Sequence, residues 1–136
     1  MNKTLLPFLR LMAVAFFLCI AGASKAQVII SQYYEGTGTN KWIELTNLGS
    51  SAVNTASPQL KLGLWSVTGS TGNIAFSGAA TQTVNLTVTI PAGGTVLIGN
   101  TGNGTEIPYL TAASAAQTSN TVINFNGNDG IALLNA

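Results

Sequence analysis

From Val28 onward, apolar and polar residues alternate in short runs separated by glycine, asparagine and proline. Period-two spacing puts one set of side chains on a buried face, so each run predicts a β-strand. Val28 to Tyr34 is the first, and Glu35 to Asn40 is a glycine-containing turn. Lys41 to Leu48 is the second strand, with Trp42, Glu44 and Thr46 alternating with Ile43, Leu45 and Asn47. The two form a predicted hairpin. Gln59 to Val67 puts Leu60, Leu62 and Leu64 on one face, with Lys61, Gly63 and Trp65 on the other. Asn73 to Ser77 is a short strand candidate. Gln82 to Ile90 points Val84, Leu86, Val88 and Ile90 inward. Pro91 to Gly94 is a turn and Thr95 to Asn100 a buried strand.

Beyond Thr101 the pattern weakens. Thr101 to Asn120 reads as loop, with room for a short helical turn within Leu110 to Gln117. Thr121 to Asn126 and Gly130 to Ala136 predict a closing hairpin over Gly127-Asn128-Asp129. No long stretch carries a 3.6-residue apolar period, and turn residues recur every eight to twelve positions or so. The expectation is an all-β chain folded as a β-sandwich.

The N-terminus follows a different pattern. Lys3 and Arg10 precede an uncharged apolar run, Leu11 to Ile20, and Ser24-Lys25-Ala26 supplies small residues for cleavage. The run is far short of the roughly 20 apolar residues needed to cross a bilayer. Residues 1–26 are therefore expected to be a secretory signal peptide, cut before Gln27. Cys19 lies inside the apolar run with no lipobox before it. The mature protein, residues 27–136, is expected to be secreted to the extracellular space or cell surface, with no membrane span after cleavage.

That cut changes the charge. The whole chain carries +1. Lys3, Arg10 and Lys25 leave, so Lys41 and Lys61 face Glu35, Glu44, Glu106 and Asp129, a formal charge of −2. Affinity for nucleic acid rests on cationic neutralisation of phosphates, so autonomous nucleic-acid binding is disfavoured. The only cysteine leaves too, and the chain has no histidine. The commonest general base and the usual zinc ligands are missing. No catalytic residue and no cofactor are assigned, and the chain is read as a non-enzyme.

Two segments carry a resemblance. Glu35, Gly36, Asn40, Lys41, Glu44 and Asn47, followed much later by Phe125, Asn126, Gly127, Asn128, Asp129, Ala132 and Leu133, match the pattern of the lamin-tail domain (LTD) family, bacterial secreted type. The segment IPAGGTVLIGN fits that family's middle hairpin. The resemblance implies an immunoglobulin-like antiparallel β-sandwich over residues 27–136. It also implies a non-catalytic binding or scaffolding module, acting in adhesion or surface association with a protein or surface glycan. Family members usually continue with at least one more strand. The expectation is thus a domain closed with fewer strands, lacking its last, or a piece of a longer protein. In the second case the module is accessory to a secreted nuclease or phosphoesterase.

Several residues invite functional readings that the local chemistry weakens. Gly36 to Asn40 looks like a phosphate-cradling loop, but a strand follows where a helix N-terminus is required. A hairpin turn using Gly and Asn at positive φ is preferred. Glu44 between Ile43 and Leu45 is read as structural, with Lys41, Asn47 or backbone N–H groups as partners. Asp129, Asn126 and Asn128 are weak Ca²⁺ candidates, short of the six to eight oxygens such a site wants. Tyr33, Tyr34, Tyr109, Trp42 and Trp65 are expected mostly in packing, with Trp42 or Trp65 offering a possible binding surface.

Overall fold

The structure, a computed structural model, describes residues 28–68, 76–102 and 114–135. The proposed signal peptide, Tyr109, most of the Asn73–Ser77 candidate and the start of the helical-turn candidate lie outside the described residues. Nine strands are described: β1 (Val28–Glu35), β2 (Lys41–Asn47), β3 (Val53–Asn54), β4 (Leu60–Trp65), β5 (Gln82–Asn85), β6 (Thr89–Ile90), β7 (Thr95–Gly99), β8 (Gln117–Thr118) and β9 (Gly130–Asn135). They form a sheet of order β1-β2-β7-β8, a sheet of order β5-β4-β9 and a small β3-β6 pair. The architecture is all-β, an immunoglobulin-like β-sandwich. Every pairing is antiparallel except β7 with β8, which is parallel.

The β1–β2 hairpin forms as its alternation predicts, with one addition. A bulge between Ile30 and Gln32 inserts Ser31, and one extra residue reverses the face that later side chains take. Val28 and Ile30 pair with Asn47 and Leu45, while beyond the bulge Tyr33 and Glu35 pair with Ile43 and Lys41. All eight positions therefore share the inner face. Gly38 takes the turn's positive φ of 58°. Asn40 does not share that role: no non-glycine residue among those described has positive φ.

The inner faces meet in one core. Ile43, Leu45 and Ile98 come from one sheet and Leu60, Leu62 and Leu64 from the other; Leu86, Val88, Ile90, Val122, Ile123 and Phe125 complete it. Each fully buried aliphatic or aromatic side chain contributes about 1.5–3 kcal/mol.

Three elements depart from the alternation. Gln82 to Ile90 keeps its inward face but is not one strand. β5 pairs with β4 in one sheet, and β6 pairs with β3 in another. The crossover is held from outside: Gln117 on β8 accepts from Thr87 N at 2.9 Å and donates to Asn85 O at 2.8 Å. Thr121 to Asn126 is not a strand, although Val122, Ile123 and Phe125 are fully buried. Consequently β9 pairs with β4 rather than closing a hairpin. Gln117, expected to end a helical turn, sits in a strand, and Phe76 of the Asn73–Ser77 candidate is exposed outside any strand.

Candidate functional site

The family-pattern residues come from two segments some ninety positions apart, and the fold brings Glu35 and Lys41 of the first beside Phe125, Gly127 and Asp129 of the second at one end of the sandwich. Register places Glu35 beside Lys41 across the hairpin mouth. Lys41 is 4 % exposed, its ammonium 3.5 Å from a Glu35 carboxylate oxygen and 5.8 Å from the centre of the Phe125 ring. A cation over an aromatic face gains from the ring's quadrupole. Tyr33 stacks on the same ring, centroids 4.4 Å apart, and donates to Glu35 Oε2 at 2.6 Å. The Tyr33 hydroxyl is held protonated well above its ordinary value of 10.0. Partial burial is the largest cause, then the bond to Glu35 and the charges of Glu35 and Asp129. With 45 % of the residue in contact with solvent, the Glu35 bond is the sturdier of these causes.

On the other side of the same turn, Asp129 acts as a staple. One carboxylate oxygen accepts from Asn126 N at 2.8 Å, closing the turn. The other accepts from Val67 N at 2.8 Å, tying it to the end of β4. Asn128 Nδ2 donates to Val67 O at 3.1 Å. Two of the three weak Ca²⁺ candidates are thus bonded to backbone groups. Among the described residues, no three Asp, Glu, His or Cys side chains gather where a metal would sit.

Other pattern residues pin corners. Asn47 is fully buried; its amide nitrogen lies 2.8 to 3.2 Å from the carbonyls of Ser51, Ile90 and Pro91, and its oxygen accepts from Gly49 N. Asn40 accepts from Trp42 Nε1 at 3.0 Å. The alternation did not single out Asn100, which is 2 % exposed, donates to Ile123 O at 2.6 Å and accepts from Gly102 N. Thr55, also missed, exchanges bonds with both backbone groups of Val88. The readable signal for both was a polar residue at a strand terminus beside a turn. Glu44 has the bulge residue as its partner, where Lys41, Asn47 or a backbone N–H was expected: Ser31 Oγ donates to it at 2.6 Å.

Trp42 lies on the outer face of β2 yet is 2 % exposed, and so belongs to no binding surface. Trp65 is half-buried on the outer face of the smaller sheet, edge-on to the exposed Phe76 at 5.1 Å. Its indole nitrogen is buried without a hydrogen-bond partner among the described residues.

Between the stapled turn and the end of β4 opens a groove of about 480 Å³. Leu64 forms its floor. Ser66, Val67, Thr68 and Gln82 line the groove together with Asn120, Thr121 and Asn124 and the turn residues Asn126 and Asp129. Asp129 is the only ionisable group in that described lining, and both its oxygens are already acceptors. What the described lining offers is hydrogen bonding.

Comparison with known families gives one match: the family described as the Lamin Tail Domain, over residues 21–136. No curated protein and no solved structure matches the chain.

Proposed function

Because the chain belongs to the lamin tail domain family, we propose that it is an exported, non-catalytic binding module, holding a protein or surface glycan at the turn-bearing end of its sandwich. The observation that carries this reading is the groove beside the 126–129 turn. It is large enough for a ligand, clefts commonly falling in the range of about 300–1,000 Å³. Its carboxylate is committed to holding the loop, so the chemistry left is recognition. The Lys41–Glu35–Phe125–Tyr33 cluster stiffens the turn from behind, and loops on a rigid sandwich are where such folds carry binding.

Export is supported by the basic, apolar and small-residue order of residues 1–26. The protein expressed in a secreting host is expected on the outer surface, its N-terminus at Gln27 by mass spectrometry. Recovery from the cytoplasm with Met1 and the apolar run intact would overturn export. Purified protein is expected to leave DNA, phosphate esters and glycans unhydrolysed; turnover that disappears in Glu44→Gln would overturn the non-catalytic reading.

A further inference from the structure

We infer that the groove takes a neutral, polyhydroxylated ligand, a short segment of uncharged oligosaccharide, and binds it without a metal ion. This rests on the binding-module reading and names its ligand class.

The argument starts from the side chains with nothing to do. Gln82, Asn120, Asn124 and Asn126 are all exposed along the groove, and their amides make no hydrogen bond among the described residues. The hydroxyls of Ser66 and Thr68 are in the same position. Each amide presents two donors and an acceptor, and each hydroxyl one donor and two lone pairs. Side by side, they complement a row of sugar hydroxyls, which need both kinds of partner at short intervals.

Charge removes the competitors. No lysine or arginine is among the described residues that line the groove, and the one charge among them is negative. A phosphate, sulfate or uronate would enter with no cation to meet it and a carboxylate nearby. Lys41 is buried against Glu35 and Phe125 and is unavailable as a counter-ion. A peptide would seek apolar pockets for its side chains, but Leu64, 3 % exposed, and Val67 are the only apolar residues in the described lining. A metal-bridged sugar is disfavoured because both Asp129 oxygens accept backbone N–H groups.

The test uses the purified protein in EDTA-containing buffer against an array of neutral, N-acetylated, uronate-bearing and sulfated oligosaccharides and unrelated peptides. The strongest hit is then titrated by calorimetry. Neutral or N-acetylated oligosaccharides are expected to bind with EDTA present. Asn124→Ala with Asn126→Ala should weaken them about tenfold or more, the loss expected from two neutral hydrogen bonds. Gln82→Ala with Asn120→Ala should do the same. Asn85→Ala, outside the groove, should change nothing, and all variants should unfold at the parent's urea midpoint. Binding restricted to anionic sugars, abolished by EDTA, or unchanged from the parent in both double variants overturns the inference. Peptide binding without sugar binding overturns it and leaves the binding-module reading standing. No binding to either class, with the protein free of the cell surface, overturns both.

Discussion

Lys41 Nζ lies 3.5 Å from Glu35 Oε1, with the lysine side chain 5 % exposed and the glutamate 26 %. The pair is lopsided. Its cation is buried and its anion can reach water. Removing the anion therefore leaves a charge in a poorly solvated place, whereas removing the cation frees a carboxylate that water can take up. Glu35→Ala is expected to destabilise the fold by about 1–3 kcal/mol, and Lys41→Met by less. Urea denaturation of both variants checks this. Equal losses, or a larger loss for Lys41→Met, would show that the ammonium's other contacts dominate.

Tyr33 should give alkaline pH a specific effect. In the unfolded chain its hydroxyl ionises near its ordinary value of 10.0, while in the fold it stays neutral to higher pH. Above about pH 10 the unfolded state therefore releases a proton that the native state retains, and stability falls as pH rises. Below that pH the group contributes no slope. Tyr33→Phe should flatten the fall, measured as urea midpoints from pH 8 to 11. An unchanged slope would mean that Tyr33 titrates freely.

Asn47 offers a sharper contrast than a simple deletion. Its amide donates toward three carbonyls, so Asn47→Ala should cost about 2–3 kcal/mol through orphaned buried acceptors. Asn47→Asp keeps the shape but turns a carboxylate toward those carbonyls. It should be at least as damaging near neutral pH and partly recovered in acid. Asn54→Ala, which removes one exposed turn bond to Ala56 N, should stay within about 1 kcal/mol. Thermal unfolding of the three variants distinguishes corner anchoring from general surface effects.

Gly63 marks where the outer face of the smaller sheet is tightest. A methyl group there would sit 2.8 Å from Leu134 Cδ1, 3.0 Å from Trp65 Cζ3 and 3.1 Å from Ala80 Cβ. The tightest of these, Leu134 Cδ1, ends a flexible side chain, whereas Ala80 Cβ is fixed to its backbone, so Gly63→Ala should be accommodated by moving Leu134 and the indole, at about 1–2 kcal/mol. Trp65 emission should shift with it. Unchanged fluorescence alongside lost stability would place the strain in the backbone instead.

Much of the fold was legible locally. The leucines of β4, the hairpin of β1 and β2, and the Pro91 to Gly94 turn follow from alternation and turn chemistry, which are sterics of neighbouring residues. The Ser31 bulge was not legible, because an extra residue shows only against a partner strand. The break at Leu86 to Val88 was hidden for a related reason. Its alternation is unbroken, and it is distant residues, Leu60 and Gln59 at Leu86, Gln117 at Thr87 and Thr55 at Val88, that claim its backbone for other partners. Thr121 to Asn126 misled in the opposite way: its apolar residues are as buried as any strand's, but burial needs no ladder.

The candidate site divides along the same line. Its ingredients, the asparagines, Asp129 and the aromatic Phe125, stand in two short segments of the sequence. That Phe125 lies under Lys41, or that Asp129 spends its second oxygen on Val67, depends on contacts across sixty to ninety residues. Trp42 shows the limit most plainly. Its position on β2 put it opposite Ile43, and alternation alone made it a surface candidate, yet it is buried. By itself the sequence determined which residues favour strand and turn, which strand faces are apolar, the lack of histidine, and the family pattern. The tertiary structure alone decided which strands pair, which outward faces are covered, and which polar groups remain free to bind. Strand preference is set within a few residues of chain, whereas pairing, coverage and satisfied hydrogen bonds are set by what the rest of the molecule brings alongside.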